Sequence, residues 1–344
     1  MGFSRYVSTV DPMGRKIAIY GKGGIGKSTV SSNLTAALGD MGVKVMQVGC
    51  DPKHDSTRGL IGGRSQNTVL EYLKTVKPED RRLKDVMATG YKGCLCVEAG
   101  GPEPGVGCAG RGIISAFDLL NDLGAESVDT DITLFDVLGD VVCGGFAVPL
   151  RNGYADTVYI VTSGEFMSIY AANNILRGTA NYDPDRIGGL IFNSRGDPAE
   201  DGRVKAFSEA VGVPVIAVFG RSPIFMEAEK QGKTVVEMRP DSPEASSFRG
   251  LAQKVLEGRR YRARFLSEDE LERTILGRTS VPEKVAPASV QSSTVSRRPR
   301  PYSSRIAEYD EPLNGCAFSG ASSVCNSTSQ QDYRKVPFTG TDFF

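Results

Sequence analysis

A glycine-rich segment near the start of the chain has the residue types and the spacing of a phosphate-binding loop. It reads Gly21-x-x-x-x-Gly26-Lys27-Ser28, after an apolar stretch at 16–20 and before apolar residues at helical spacing over 28–41. Glycines turn backbone N–H groups toward one anion, and the following helix N-terminus adds partial positive charge. The lysine reaches the outer phosphates, and the serine hydroxyl suits Mg²⁺. The residues predicted to bind nucleotide here are Gly23, Gly24, Ile25, Gly26, Lys27, Ser28 and Thr29.

A second lysine, Lys22, stands at the start of the same loop. It is either an ordinary solvated lysine or a residue that reaches across a dimer interface to the nucleotide of the other subunit. The pattern G-K-G-G-x-G-K-S resembles that of P-loop ATPases that work as face-to-face dimers. We therefore count Lys22 among the predicted catalytic residues.

Two further predicted strands end in carboxylates. Asp51 and Asp55 follow an apolar run at 43–48, and Asp136 closes the run at 131–136. Ligands of open α/β sheets bind at the carboxyl ends of the strands, so these side chains are candidates for contacts to Mg²⁺ and water. A polar turn after a strand is the alternative for Asp51 and Asp55. Asp136 has the position expected of the second acidic element of a P-loop ATPase.

Predicted strands and helices alternate along the rest of the chain. Strands are predicted at 94–98, 157–162, 189–193 and 213–219, and helices at 167–181, 200–211 and 243–257. A last helix is predicted from Ser267, where Ser267-x-x-Glu270 forms a capping box. Residues 60–90 are expected to form helices and polar loops. The alternation predicts an α/β fold of the P-loop NTPase type, in which helices cover both faces of a mostly parallel sheet.

Composition divides the chain into three segments. Residues 1–15 form a short lead-in, and residues 16–279 carry the motifs and the apolar periodicity. Residues 280–344 are rich in Ser, Thr, Pro and Arg and lack the periodicity of a packed core, so we expect a flexible low-complexity tail. The prediction is one P-loop domain over 16–279 followed by a tail that carries Cys316 and Cys325.

The total composition argues against several classes of function. The net charge of zero indicates neither nucleic acid nor an anionic membrane surface as a partner. No apolar run reaches membrane-spanning length and no signal peptide opens the chain, so we expect a cytoplasmic protein. Disulfides are rare in that compartment, so the seven cysteines are expected to be small buried residues or metal ligands.

Two of the cysteines, Cys108 and Cys143, lie among glycines near the ends of predicted strands. A [4Fe–4S] cluster usually takes four thiolates, so a twofold dimer with two from each chain would hold one cluster on its axis. Two buried structural cysteines are the alternative. Only seven positions separate Asp136 from Cys143, a span of at most about 24 Å. A change at Asp136 or Asp140 would therefore reach Cys143 through one short segment.

Five segments together resemble the iron protein of nitrogenase and its relatives. These segments are Gly21–Thr29, Gly49–Thr57, Gly101–Gly112, Asp136–Phe146 and Ser163–Asn174. The resemblance covers roughly residues 15–275. It implies that Cys108 and Cys143 bind one [4Fe–4S] cluster between two subunits, and that Arg111 matches an arginine that some members modify by ADP-ribosylation.

The resemblance also implies roles for the polar residues around the nucleotide. Lys22, Lys27, Ser28 and Asp55 would contact phosphate and Mg²⁺, whereas Asp51, Asp136 and Asp140 would handle water or couple hydrolysis to movement. The remaining predicted nucleotide contacts are Lys53 and, near the adenine base, Asn193, Arg221 and Glu229. The family often has Asp after that arginine, but this chain has Ser222.

The implied activity is that of an ATP-hydrolysing oxidoreductase component. It would be a homodimer that binds MgATP or MgADP, takes electrons from ferredoxin or flavodoxin, and passes them singly to a catalytic component. The Asp51–Thr57 and Ser31–Leu34 stretches resemble the iron protein of dark protochlorophyllide reductase, whereas Pro102–Arg111 and Tyr170–Asn174 resemble nitrogenase.

This mixture is most similar to a nitrogenase-like reductase outside both branches, and methylthio-alkane reductase is the leading candidate. The iron protein of nitrogenase itself or of dark protochlorophyllide or chlorophyllide reductase is the alternative. A cluster-free dimeric partitioning-type ATPase is the alternative from another class, because it shares both lysines but needs neither cysteine.

Overall fold

The fold is built on one sheet in which all neighbouring strands but one pair run parallel. The computed structural model describes residues 14–101, 109–137, 149–150 and 154–277, with the backbone alone for 109 and 110. Within these residues the sheet has eight strands in the order β3-β4-β2-β5-β1-β6-β7-β8. The strands are β1 (Arg15–Gly21), β2 (Val45–Gly49), β3 (Met87–Thr89), β4 (Leu95–Glu98), β5 (Ile132–Asp136), β6 (Thr157–Thr162), β7 (Ile187–Asn193) and β8 (Val215–Phe219).

Helices pack on both faces of this sheet. The helices are α1 (Lys27–Asp40), α2 (Val69–Thr75), α3 (Ala109–Asp122), α4 (Phe166–Ala180), α5 (Glu200–Val211), α6 (Pro223–Lys230), α7 (Val235–Met238), α8 (Pro243–Glu257) and α9 (Glu268–Leu276). Short 3₁₀ turns occupy Pro78–Asp80, Leu83–Asp85, Tyr91–Gly93 and Ala125–Ser127. All described residues belong to one compact unit of the chain.

The central strand β1 shows why the sheet needs two helical layers. Ile17 and Ile19 point into one core, with α1 and α8, whereas Ala18 and Tyr20 point into the other, with α3, α4 and α5. Successive side chains of a strand alternate between faces, so a strand with apolar side chains on both faces must be covered on both. The predicted mostly parallel α/β fold of the P-loop NTPase type is confirmed.

Several elements differ from the sequence-based expectation. Strand β3 is antiparallel to β4, its one partner among the described strands, and its three residues are too few to show a period. Helix α3 was not predicted, although Ile113, Ala116 and Phe117 with Leu120 give it a clear apolar face. The glycines ahead of it obscured that signal. Helices α6 and α7 are short and were also missed. Among the described residues, no helix combines the length and apolar character needed to cross a bilayer.

The backbone register places three residues level at the carboxyl edge of the sheet. Gly49 of β2 pairs with Asp136 of β5 on one side and with Glu98 of β4 on the other. Asp136 in turn pairs with Ile19, two residues before the end of β1. The loops that follow β1, β2, β4 and β5 therefore all begin at this edge. It is the edge at which Asp51, Asp55 and Asp136 were expected to lie.

The last described helix is held by a predicted cap and by a buried amide. The Ser267 hydroxyl accepts a hydrogen bond from the Glu270 N–H, and the Glu270 carboxylate accepts one from the Ser267 N–H, which confirms the capping box. One residue earlier, the Asn173 amide of α4 donates to the Leu266 carbonyl at 2.9 Å and accepts from the Leu266 N–H at 2.8 Å. This pair attaches the 258–267 segment to α4.

We expect Asn173→Ala to lower the free energy of unfolding by about 2 kcal/mol, because it removes the partner of the buried Leu266 N–H and leaves the Leu266 carbonyl to the longer bond from Arg177 at 3.3 Å. Asn181→Ala is the matched control, since Asn181 is exposed at the end of the same helix and should change stability by less than about 0.5 kcal/mol. Urea unfolding of both variants beside the native protein measures the difference. Equal midpoints for the two variants would contradict this account of the contact.

Candidate functional site

The loop between β1 and α1 has the conformation of an anion-binding nest. Gly24 and Gly26 have φ values of 72° and 99°, in the left-handed region that favours glycine. A Cβ atom on Gly26 would lie 2.7 Å from Asn193 Nδ2, so space as well as φ requires glycine there. Helix α1 has no side-chain cap and no acidic residue in its first turn, as far as the described residues show. Its first N–H groups are therefore available to an anion.

The two loop lysines differ in their surroundings. Lys27 is buried and its Nζ donates to the Lys22 carbonyl at 3.2 Å, which folds its side chain back over the loop. Lys22 is half-buried at the start of the loop. The geometry of Lys27 suits a phosphate in the nest. The role of Lys22 toward a second subunit stays a prediction.

A cleft of about 1030 Å³ opens beside this loop. Its walls come from the phosphate-binding loop, the loop after β2, the segments that follow β7 and β8, and helix α6. Eight of the predicted site residues line this cleft: Gly24, Gly26, Ser28, Thr29, Asp55, Asn193, Arg221 and Glu229. Arg58, Arg195 and Lys233 also line it and were missed by the sequence reasoning. A cleft with this many cationic side chains suits a polyanionic ligand.

Two residues after β7 brace the phosphate-binding loop. Asn193 Nδ2 donates to the Ile25 carbonyl at 2.7 Å, and the Arg195 guanidinium donates to the Gly24 carbonyl at 3.0 Å. Both bonds use carbonyl oxygens of the loop, so they occupy none of its N–H groups. Asn193 was predicted near the adenine base. The structure gives it a contact with the loop backbone, and its contact with a base stays a prediction.

The loop after β2 carries the predicted carboxylates at different depths. Asp51 is half-buried and its Oδ1 accepts from the Lys53 N–H at 2.9 Å, whereas Lys53 and Asp55 have exposed side chains. His54, the only histidine in the chain, is exposed with a φ of 55°. Among the described residues, no three His, Cys, Asp or Glu side chains form a metal site by themselves. A cation bound by Ser28 and Asp55 would therefore need phosphate oxygens to complete its ligands.

Asp136 is buried beneath the phosphate-binding loop, and one of its oxygens accepts from the Ser56 hydroxyl at 2.6 Å. Burial raises the pKa of Asp136 above its ordinary value, although the Ser56 hydrogen bond and the neighbouring Ser28 hydroxyl lower it. Its Oδ1 makes no direct hydrogen bond within the described part of the structure. A buried carboxyl oxygen without a donor is placed to accept a bond from water or from a hydrated cation.

A second buried carboxyl group, that of Glu98, was missed by the sequence reasoning. Its Oε1 accepts from the Thr57 N–H at 2.7 Å and from the Thr57 hydroxyl at 2.6 Å. Burial raises the pKa of Glu98 to about 7 against the lowering effect of these two bonds. Its position at the end of a predicted strand, the signal that identified Asp136, was available in the sequence.

Several predicted residues lie outside the described part of the chain. These are Asp140, Cys108, Cys143, Cys316 and Cys325. Helix α3 begins at Ala109, directly after Cys108, and β5 ends at Asp136, seven positions before Cys143. The fit of a [4Fe–4S] cluster to its predicted ligands is therefore not tested by this geometry, whereas the nest, Lys27 and the unpaired oxygen of Asp136 fit a nucleoside triphosphate with its cation.

A phosphate nest between the central strand and an uncapped helix, on a parallel sheet covered on both faces, defines a P-loop NTPase. Solved structures with this fold include the cell-division ATPase MinD of Pyrococcus furiosus, with a TM-score of 0.56 at 24% identity over 71% of this chain and 99% of that one. A ParA family ATPase from Chlorobium tepidum has a TM-score of 0.54 at 17% identity over 70% of this chain and 98% of that one. At these identities the likeness concerns the fold alone.

Residues 15–279 match the model of the family described as 4Fe-4S iron sulfur cluster binding proteins, NifH/frxC family. The chain belongs to this family, as its motifs indicated. A curated relative, the nitrogenase iron protein of Methanospirillum hungatei, is 53% identical over 247 residues, which are 70% of this chain and 88% of the relative. The chain is thus a nitrogenase iron protein-like ATP-dependent oxidoreductase component.

The raised pKa of Glu98 makes a testable link between pH and stability. The folded protein holds this proton between the ordinary pKa of 4.5 and about 7. The stabilisation is therefore complete below the lower value and is lost as pH rises through the higher one. Between pH 5.5 and 7.5 the loss should be about 2 kcal/mol at most.

Glu98→Gln cannot titrate and should remove this part of the pH dependence. The measurement is urea unfolding of nucleotide-free native and variant protein at both pH values. Parallel pH profiles for the two proteins would show that Glu98 keeps its ordinary pKa in the folded state.

Proposed function

We propose that two copies of this chain form an iron protein in which Cys108 and Cys143 of each copy bind one [4Fe–4S] cluster, and in which each copy binds one MgATP. The observation that supports nucleotide binding most directly is the open nest, with Gly26 at a φ of 99° and Lys27 folded over it. Membership of a cluster-binding family that matches residues 15–279 supports the cluster. When bound, the cluster supplies a one-electron carrier at the dimer axis.

The described residues have separate tasks in this proposal. The nest and Lys27 hold the phosphates, while Ser28 and Asp55 hold the cation. Asp136 and Asp51 accept hydrogen bonds from water near the terminal phosphate, and Lys22 reaches the nucleotide of the other subunit. Catalysis of phosphoryl transfer then consists of positioning and charge stabilisation. Lys53, Arg221 and Glu229 complete the nucleotide contacts at the rim.

The catalytic partner is proposed to be that of a nitrogenase-like reductase, with methylthio-alkane reductase as the leading candidate. The support is the mixed resemblance of Ser31–Leu34 and Asp51–Thr57 to one branch and of Tyr170–Asn174 to the other. Residues of the first two stretches, Ser32, Asn33 and Asp55, line the cleft beside the phosphate-binding loop, and the Ser31 hydroxyl adjoins Asp136. Ferredoxin or flavodoxin would supply the electrons. Residues 280–344 remain predicted to be a tail outside the P-loop domain.

Protein purified without oxygen should be brown and carry about four irons per dimer. Cys108→Ser or Cys143→Ser should abolish the colour and the iron. Cys94→Ala, which removes a buried thiol one residue before β4, should retain both.

MgATP should accelerate the release of iron to a chelator in the native protein. Visible spectra, iron content and chelation rates give the three readouts. A colourless native protein that hydrolyses ATP would favour the cluster-free partitioning-type ATPase instead.

The identity of the partner is tested by reconstitution. With the catalytic component of a methylthio-alkane reductase, MgATP and a reductant, the native chain should release methanethiol from a small thioether. Lys27→Ala should lower this rate more than about 100-fold, because a loop lysine stabilises the transferred phosphoryl group. Turnover only with nitrogenase or protochlorophyllide reductase partners would assign the chain to one of the other two branches.

A further inference from the structure

The row Glu98–Gly49–Asp136 at the carboxyl edge of the sheet places two buried carboxyl groups on either side of a glycine. Any Cβ atom on Gly49 would overlap Glu98 Oε2 and lie 2.6 Å from the Ser56 Cβ. The missing side chain thus makes room for Ser56 and for the Glu98 carboxyl above β2. The end of the β2 loop lies between the two acids.

Each acid accepts a hydrogen bond from one hydroxyl group of the Ser56–Thr57 pair, and each hydroxyl group in turn accepts one from a glutamine amide. On one side Gln47 Nε2 donates to the Ser56 hydroxyl at 2.9 Å, which donates to Asp136 at 2.6 Å. On the other side Gln66 Nε2 donates to the Thr57 hydroxyl at 3.0 Å, which donates to Glu98 at 2.6 Å. The two relays have the same order of amide, hydroxyl and carboxyl group.

Each of the two carboxyl groups also has one oxygen without a hydrogen-bond partner among the described residues. Glu98 Oε2 and Asp136 Oδ1 are both buried and make no hydrogen bond within the described residues. A carboxyl group with one bonded and one unbonded oxygen can change partners by a small rotation, whereas a fully bonded group is fixed. We call the contacts of Asp136 and Glu98 with Ser56–Thr57 the clamp. Hydrogen bonds hold one oxygen of each carboxyl group in the clamp, whereas the other oxygen is open to a new partner.

We propose that Glu98 is a positioning residue for nucleotide response, a second anchor that holds the β2 loop opposite the Asp136–Ser56 contact. The inference rests on the proposed function, because the loop carries Asp51 and Asp55. Movement of Asp136 toward a bound nucleotide would shift Ser56, and the Thr57–Glu98 contact passes that shift to the end of β4. Strand β4 ends at Glu98, ten positions before Cys108, so the clamp gives the nucleotide a route to that cysteine separate from the Asp136–Cys143 segment.

Two matched pairs of variants of the full-length dimer test the anchor. Thr57→Val removes the hydroxyl at nearly constant shape, and Thr57→Ser keeps it. Glu98→Ala removes the acceptor, and Glu98→Gln keeps one oxygen that can accept both Thr57 bonds. The first readout is the acceleration of iron release by MgATP. The second is tryptic cleavage after Lys53 and Arg58 without nucleotide, mapped by mass spectrometry, since both side chains are exposed.

Thr57→Val should reduce the MgATP acceleration about fivefold and speed cleavage at Lys53 and Arg58 by a similar factor, the effect expected of one buried hydrogen bond. Glu98→Ala, which removes the acceptor of both Thr57 bonds, should change both readouts by more than this. Thr57→Ser and Glu98→Gln should stay within about twofold of native. The double variant Thr57→Val/Glu98→Ala should lose no more than Glu98→Ala alone, because Glu98→Ala already removes the hydroxyl contact that Thr57→Val removes.

The anchor is wrong if Thr57→Val and Glu98→Ala behave as native in both readouts, or if Thr57→Ser and Glu98→Gln are as impaired as their partners. The tryptic readout needs no cluster and so separates the two levels of the argument. If native iron release ignores MgATP while the cleavage pattern follows the four variants as expected, the proposed function fails and the anchor of the loop stands. Should one variant of a pair not fold, the other pair decides.

Discussion

The alignment of parallel strand ends at one edge of the sheet is the constraint on which the site depends. Backbone pairing holds Gly49 level with Glu98 and Asp136, and it holds Asp136 level with Ile19. Because every parallel strand enters this edge in the same direction, the carboxyl ends of β1, β2, β4 and β5 lie there together. A shift of one residue in any register would turn these polar side chains to the other face.

Burial determines how costly it is for the carboxyl groups at this edge to be charged. Carboxyl groups removed from water are costly when charged, and hydroxyl donors offset part of that cost. Ser56 and Thr57 serve Asp136 and Glu98 in this way, while Gln47 is satisfied on its other side by the Thr35 hydroxyl at 2.7 Å. The network is nearly complete without a ligand. Two oxygens are left over, Glu98 Oε2 beside Gly49 and Asp136 Oδ1, and neither makes a hydrogen bond within the described residues.

The phosphate-binding loop is supported separately, by residues at and after the end of β7. Asn193 and Arg195 bind two of its carbonyl groups, so the N–H groups of the nest stay oriented inward. Support of this kind costs little at the moment of binding, because the loop does not have to reorganise. The likeness to ATPases under 25% identical concerns the fold alone. Family membership is what links this chain to cluster chemistry.

The sequence by itself determined the phosphate-binding loop, the parallel α/β fold and the family, because glycine spacing, apolar periodicity and strand-end carboxylates are local signals. It also determined the capping box at Ser267. It did not reveal β3, α6 or α7, which are too short for a period, and it left Glu98 as an unremarked strand end.

Only the tertiary structure decided that Glu98 and Asp136 flank the same dipeptide and that Asn193 supports the loop. These contacts join residues from 41 to 168 positions apart. Such pairings are set by strand order and register, which depend on the packing of the whole sheet and are not encoded in any one segment.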